Sequence, residues 1–227
     1  MTSKALSQTP AATGRASAGS RATGARRKTG MGTKHDDKRT AILRTAAQLF
    51  AEKGYEATSL DNIAERLGMH KATLYHYVAN KESILYQCLV LSFVDLDVAI
   101  EHTKDRSVPV LQRLRDFVRS LAVAQNSDFG RCLLLVGPRP LEMSSGGGDG
   151  DIRQFQRRLD ATVRALITEG IADGSVRPCD PGMFSALLFG GLNWVPRWYS
   201  DSGKLSIPQV ADNFMDTLID GIAAARR

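Results

Sequence analysis

The sequence predicts an all-α fold, a small N-terminal three-helix unit followed by a larger helical domain. Three observations carry that expectation. Apolar residues recur at spacings of three and four through most of the chain after residue 36, the repeat of one helix face. Helix-start chemistry precedes several of these runs: Thr58 with Asp61, Asn80, and Asp180 followed by Pro181. Glycines stand where the first two runs end, at Gly54 and Gly68.

The chain has 227 residues, 43% of them hydrophobic, enough for one mid-sized domain or two small ones with a real core. No run approaches the roughly 18–20 apolar residues of a membrane span, and the first residues lack an apolar signal core, so a soluble intracellular protein with no membrane partner is expected. Cys88, Cys132 and Cys179 are odd in number and far apart, which fits neither a disulfide framework nor a zinc site. Buried reduced thiols are expected, with no metal and no cofactor.

The net charge of +6 is concentrated at one end. Lys4, Arg15, Arg21, Arg26, Arg27, Lys28 and Lys34 lie in a stretch without acidic residues, and the remainder of the chain is close to neutral. Residues 1–36 are read as a disordered basic arm, too poor in apolar side chains to fold alone. Such an arm either contacts phosphates without sequence preference or is an inert extension upstream of Met31; its composition also matches an organelle transit peptide superficially.

Residues 37–83 form the first folded unit. Ile42, Leu43, Ala46, Leu49 and Phe50 make one helix face from Asp37 onward, closed by Gly54. Thr58 and Asp61 give a T-x-x-D capping signature for a second helix with Leu60, Ile63, Ala64 and Leu67 inside. A third helix begins at His70 or Lys71 after a short turn containing Gly68, with Leu74 and Tyr77 inward. Two short helices joined this way, with a third as support, form a helix-turn-helix. Lys71, Ala72 and Thr73 then suit base edges, and Tyr75 and His76 suit phosphates. Asn80 caps the next helix, whose first-turn Lys81 adds a cation beside exposed N–H groups. An ordinary helical hairpin with half-buried tyrosines has the same spacing.

Residues 38–85, KRTAILRTAAQLFAEKGYEATSLDNIAERLGMHKATLYHYVANKESIL, resemble the DNA-binding domain of the tetracycline-repressor (TetR) family of bacterial regulators. The resemblance implies base-edge contacts near Lys71, Ala72 and Thr73, phosphate contacts from Thr58, Tyr75, His76 and Lys81, and a bacterial cytoplasmic location. Two departures are visible: Ala72 stands where the family often has Gly, and Tyr77-Val78 where His-Phe is common.

Residues 84–227 are then expected to bind an effector and form a homodimer. A long helix runs from Lys81 to about His102, with Ile84, Leu85, Cys88, Leu91 and Val94 or Asp95 along one side. Ser107 and Pro109 open a helix with the stripe Leu111, Leu114, Phe117, Val118, Leu121 and Val123. Arg131–Val136 is a short apolar segment, GPRPLEMSSGGGDGD a flexible connection, and Ile152–Ala172 a helix. Asp180-Pro181 starts a penultimate helix that runs through LNWVPRWY, and Ile207-Pro208 opens the last one. The family resemblance implies a dimer through the last two helices, with Leu187, Gly190, Gly191, Trp194, Phe214, Leu218 and Ile222 at the seam.

LNWVPRWY also resembles a TetR subgroup that answers to acyl-coenzyme A thioesters. A pocket lined by Phe117, Leu121, Phe129, Leu133, Phe155 and Leu159 suits an acyl or ring system, with Arg131, Arg139 or Arg197 for a charged end. Trp194 and Trp198, four apart, either join Arg197 there or anchor the dimer. The chain has no His-x-x-x-His, no Glu-x-x-His pair and no nucleophile elbow, so an enzyme is not expected. The expected function is a repressor released from a palindromic double-stranded operator by a small molecule, an acyl-coenzyme A from lipid, steroid or aromatic catabolism. The alternatives are an efflux-type drug sensor and a non-specific DNA-binding protein.

Overall fold

A computed structural model describes residues 29–137 and 149–220, with side chains over 34–137 and 152–220. Arg139, Ile222 and most of the basic arm lie outside the described residues. The N-terminal unit is α1 (Thr29–Lys53), α2 (Leu60–Arg66) and α3 (Lys71–Leu74), and α4 (Lys81–His102) leads out of it. The rest comprises α5 (Val110–Asn126), α6 (Asp128–Val136), α7 (Asp149–Ala172), α8 (Pro181–Leu192), the single turn α9 (Val195–Trp198) and α10 (Ile207–Asp220), with no strand among the described residues.

Two hydrophobic cores organise these helices. The first gathers Ile42, Ala46, Leu49 and Phe50 of α1, Ile63 and Ala64 of α2, Leu74 of α3, and Val78 around Ile84, Leu85 and Cys88 of α4. The second is built on Leu114, Phe117, Val118 and Leu121 of α5, with Leu96, Ala99 and Ile100 of α4, Phe155, Leu159, Val163 and Ile167 of α7, and Leu188, Leu192, Ala211 and Met215 of α8 and α10. Helix α4 serves both, so its apolar residues are distributed round its circumference. By length and composition it could cross a membrane, contrary to the sequence expectation, but its inward residues are taken up by the two cores. Leu91 and Val94, expected inside, are exposed, as are Val98 and, on α5, Val123.

Several boundaries differ from expectation for local reasons. Helix α1 starts at Thr29 rather than Asp37. The cap of α2 is Ser59, not Thr58: Ser59 Oγ accepts from the Asn62 backbone N–H at 3.1 Å, and Asn62 Oδ1 accepts from the Ser59 N–H at 3.0 Å. Asn80 caps α4 through the Ser83 N–H at 2.7 Å, and Asp180 caps α8 through the Met183 N–H at 2.9 Å, both as expected. The penultimate helix is not continuous, since α8 ends at Leu192 and Pro196, which has no N–H to give, sits in the first turn of the separate α9. Cys88 and Cys132 are buried, but Cys179 is exposed.

The buried polar centre of the larger domain was not expected. Arg113 has a side chain only 4% exposed, donates to the Val108 carbonyl at 2.9 Å and the Thr103 carbonyl at 2.7 Å, and closes a two-pronged ion pair on Glu169 of α7. Arg106 reaches the same carboxylate. This cluster joins the α4–α5 turn to α7.

Gly190 and Gly191 have opposite surroundings. A Cβ on Gly191 would lie 2.1 Å from the Phe214 ring, whereas one on Gly190 meets nothing within 4 Å. Gly191 is thus a crossing point of α8 and α10 within the protomer. Gly191→Ala should cost about 1–3 kcal/mol of stability by overpacking, while Gly190→Ala should raise the stability of the protomer by about 0.5–1 kcal/mol; urea melts of the pair test this, and equal effects would contradict the crossing. Hydrogen bonds from Arg113 hold the Glu169 carboxyl below its ordinary value. A carboxyl depressed in the folded state contributes stability above its unfolded pKa and loses it as pH falls through the folded value. Glu169→Gln should therefore cost about 1–2 kcal/mol at pH 7 by leaving Arg113 buried without its anion, and the gap between parent and variant should shrink in urea melts taken below the ordinary glutamate range.

Candidate DNA-reading face and effector cavity

The turn between α2 and α3 is made by Gly68, whose φ of 61° lets its N–H bond the Glu65 carbonyl at 3.0 Å and lets Met69 N–H reach Ala64 at 3.0 Å. This reversal sets α3 against α2 with Leu74 fully buried. Lys71, Ala72, Tyr75 and His76 are left exposed and Thr73 half-buried, so none of these five expected contact residues is buried. Tyr77 is half-buried and stacks on His35 of α1, ring centroids 4.7 Å apart, while Val78 takes the fully inward position.

Thr58 and Lys81 are placed differently. Thr58 is 1% exposed, and its hydroxyl donates to the Gly54 carbonyl at 2.8 Å and the Leu49 carbonyl at 3.3 Å, tying the end of α1 to the start of α2. Lys81 turns inward: its ammonium lies 4.1 Å from the Tyr55 ring centroid and donates to the Tyr55 carbonyl at 3.0 Å. Both make contacts that hold the unit together. Lys71 donates to Asp61 of α2 at 2.8 Å, a contact the spacing alone did not suggest, and this hydrogen bond raises the Lys71 ammonium above its ordinary pKa.

The larger domain encloses a mainly apolar cavity of about 300 Å³ between α4, α5, α6, α7 and α8. Leu121, Leu133, Phe155 and Leu159 line it as expected, joined by Leu89, Phe93, Leu96, Leu134, Ile152 and Phe189. Phe93 and Phe155 stack with centroids 3.8 Å apart. The missed residues of α4 follow the period of a helix that is apolar all round, so no sequence stripe singled them out. Phe117 is instead packed into the second core, and Phe129 lies against the first. The polar wall holds Ser92, Gln125, Asn193 and Asp160. Burial alone would raise the Asp160 carboxyl, but hydrogen bonds from Ser185 at 2.6 Å and Arg164 at 2.7 Å outweigh it and hold it below its ordinary value.

Of the expected cations, Arg131 lines a separate polar depression between α1 and α6 with Gln48, Glu52 and Asp128. Arg197 is exposed, but its guanidinium donates to the carbonyls of Asn193 at 3.2 Å and Leu134 at 3.3 Å, both cavity-lining residues, and lies 4.8 Å from the Trp194 ring. Trp194 and Trp198 do not line the cavity and are 59% and 52% exposed, together with Leu187. Helix α6 has two working sides: Leu133 and Leu134 face the cavity, while Asp128 accepts from Gln48 at 3.0 Å and pairs with Arg44 of α1 at 3.2 Å.

Residues 42–88 match the family model described as bacterial regulatory proteins, tetR family, and residues 107–222 match that of the tetracyclin repressor-like C-terminal domain. The chain belongs to the TetR family. It is 26% identical over 201 residues to the HTH-type transcriptional repressor KstR2 of Mycolicibacterium smegmatis, covering 83% of this chain and 92% of that one. It is 23% identical over 153 residues to the HTH-type regulator YhgD of Bacillus subtilis, covering 67% of this chain and 78% of that one. The crystal structure of AibR in complex with isovaleryl coenzyme A and operator DNA is similar at a TM-score of 0.65 and 26% identity, over 80% of this chain and 98% of that one. The KstR2 structure from Mycobacterium tuberculosis has the same fold, with a TM-score of 0.73, 23% identity and coverage of 82% and 95%. This TetR-family chain is accordingly a DNA-binding transcriptional regulator and not an enzyme.

Exposure separates the candidate contact residues of α3 from the buried Thr58. Tyr75→Ala and His76→Ala should weaken binding to all duplexes alike, as lost phosphate contacts do. Thr58→Val should lower stability by about 1 kcal/mol or more and leave the affinity of the folded protein unchanged. Gel shifts on specific and random duplexes, paired with urea melts, check this; a Thr58→Val protein that is fully folded yet binds DNA poorly would return Thr58 to the interface.

Proposed function

We propose that this TetR-family regulator is a homodimeric repressor of the bacterial cytoplasm, bound to a palindrome-like operator and released when an acyl-coenzyme A thioester enters the cavity between α4 and α8. The observation that carries the effector reading is the pairing of an apolar cavity with Arg197, whose guanidinium rests on the carbonyls of two of its lining residues. An acyl group fills the apolar space, and the exposed guanidinium is available to a phosphate of the coenzyme. The AibR complex supports the ligand class, because a similar protein binds isovaleryl coenzyme A as well as operator DNA.

The dimer reading rests on the exposed Met183, Leu187, Trp194 and Trp198 along α8 and α9, with Gly190 open beside them. An apolar patch of this kind marks an interaction surface. Two reading faces related by one dimer axis require a two-fold symmetric site. Release follows from α6: a ligand against Leu133 and Leu134 shifts the helix whose Asp128 holds α1, and so changes the spacing of the two reading faces.

Titration of acyl-coenzyme A esters, the matching free acids and cationic dyes into the protein–operator complex tests the proposal. Coenzyme A esters should dissociate the complex, and Arg197→Ala should need about tenfold more ester or beyond, the loss of one charge-assisted contact. Release by free acids or dyes alone, with Arg197→Ala responding like the parent, would replace this reading with that of a drug-sensing repressor.

A further inference from the structure

Asp61 and Lys71 are joined across the helix-turn-helix, carboxylate to ammonium at 2.8 Å, with side chains 62% and 48% exposed. The pair has little structural work to do. Helix α2 is capped by Ser59 and Asn62, so Asp61 is not needed there. An ion pair this exposed adds little to folding stability. Its position is nonetheless defined, because Lys71 begins α3, Asp61 stands in the first turn of α2, and the contact between them bridges the two helices. Lys81 is turned inward on Tyr55, which leaves Lys71 as the lysine of α3 and its flanks that faces outward.

Resting on the reading of α3 as the major-groove helix, we propose that Asp61 and Lys71 act as one unit that reads a G·C base pair in each half-site, Lys71 donating to guanine and Asp61 accepting from the paired cytosine.

The chemistry is complementary on both sides. In the major groove guanine offers two adjacent acceptors, N7 and O6, and its cytosine offers the N4 amino donor beside them. A lysine and a carboxylate already side by side meet acceptors and donor in that order, and neither loses a partner on binding. A phosphate is a poor exchange, since Lys71 would leave Asp61 and the stranded carboxylate would face the backbone charge. An A·T pair gives the ammonium isolated acceptors on either side of the adenine amino group, with the thymine methyl beyond, so one of guanine's two neighbouring acceptors is lost. Asp61 thus converts a lysine that would bind any duplex into one that selects.

The test is selection from a random duplex library with the full-length protein, followed by affinities on the selected site. The parent should show a symmetric pair of G·C positions, with a tenfold or greater loss when either is changed to A·T. Asp61→Ala should reduce that preference to below about threefold, bind random DNA more tightly and show a steeper salt dependence, because Lys71 is freed for phosphates. N4-methylcytosine at the selected position should weaken the parent and leave Asp61→Ala unaffected, a readout that does not depend on the stability of any further variant. Should Asp61→Ala fail to fold, Asp61→Asn and the modified duplex decide. Unchanged base preference in the Asp61 variants, or indifference of the parent to N4-methylcytosine, overturns the inference while leaving the family function intact; absence of any sequence selection would instead remove the major-groove reading beneath it.

Discussion

Everything in this molecule depends on α4 having to satisfy two cores with one helix. Its first turns bury Ile84, Leu85 and Cys88 among α1, α2 and α3, and its last turns bury Leu96, Ala99 and Ile100 against α5 and α7. Between them, Leu89, Ser92, Phe93 and Leu96 form a wall of the cavity. A close-packed interior transmits displacement because it has no slack to absorb it. Whatever moves the middle of α4 is therefore felt at both ends.

Helix α6 is the second member of this arrangement. Only nine residues long, it places Cys132 in the N-terminal core, Leu133 and Leu134 on the cavity, and Asp128 on Gln48 and Arg44 of α1. Burial pushes both the Cys88 and Cys132 thiols up, which keeps them protonated and apolar at this junction. The polar Asp128 contacts are half-exposed and individually weak, whereas the buried contacts around Cys132 resist separation.

On the DNA side, charge is rationed. Lys81 is spent on Tyr55 and Lys71 on Asp61, so the folded face presents few unpaired cations, consistent with a chain whose excess positive charge lies in its first 35 residues.

The sequence alone determined the helical class, the helix-turn-helix, the caps at Asn80 and Asp180 and the apolar character of the cavity, because each depends on residues within a few positions of one another. Helical periodicity and caps are local, and four of the six expected apolar wall residues were legible from their stripes. Only the tertiary structure decided the rest. Thr58 carries cap chemistry, but the neighbouring Gly54 carbonyl takes its hydroxyl and the cap passes to Ser59. Arg113 reads as a surface residue of an amphipathic helix until Glu169, 56 positions away, gives it a buried partner. Phe117 and Phe129 share the chemistry of Phe155, and only tertiary packing brings Phe155 of the second core to the cavity while Phe117 stays within that core and Phe129 lies against the first. Local sequence fixes which face of a helix is apolar; what that face touches depends on the close packing of elements distant in sequence, and that information resides in no single segment.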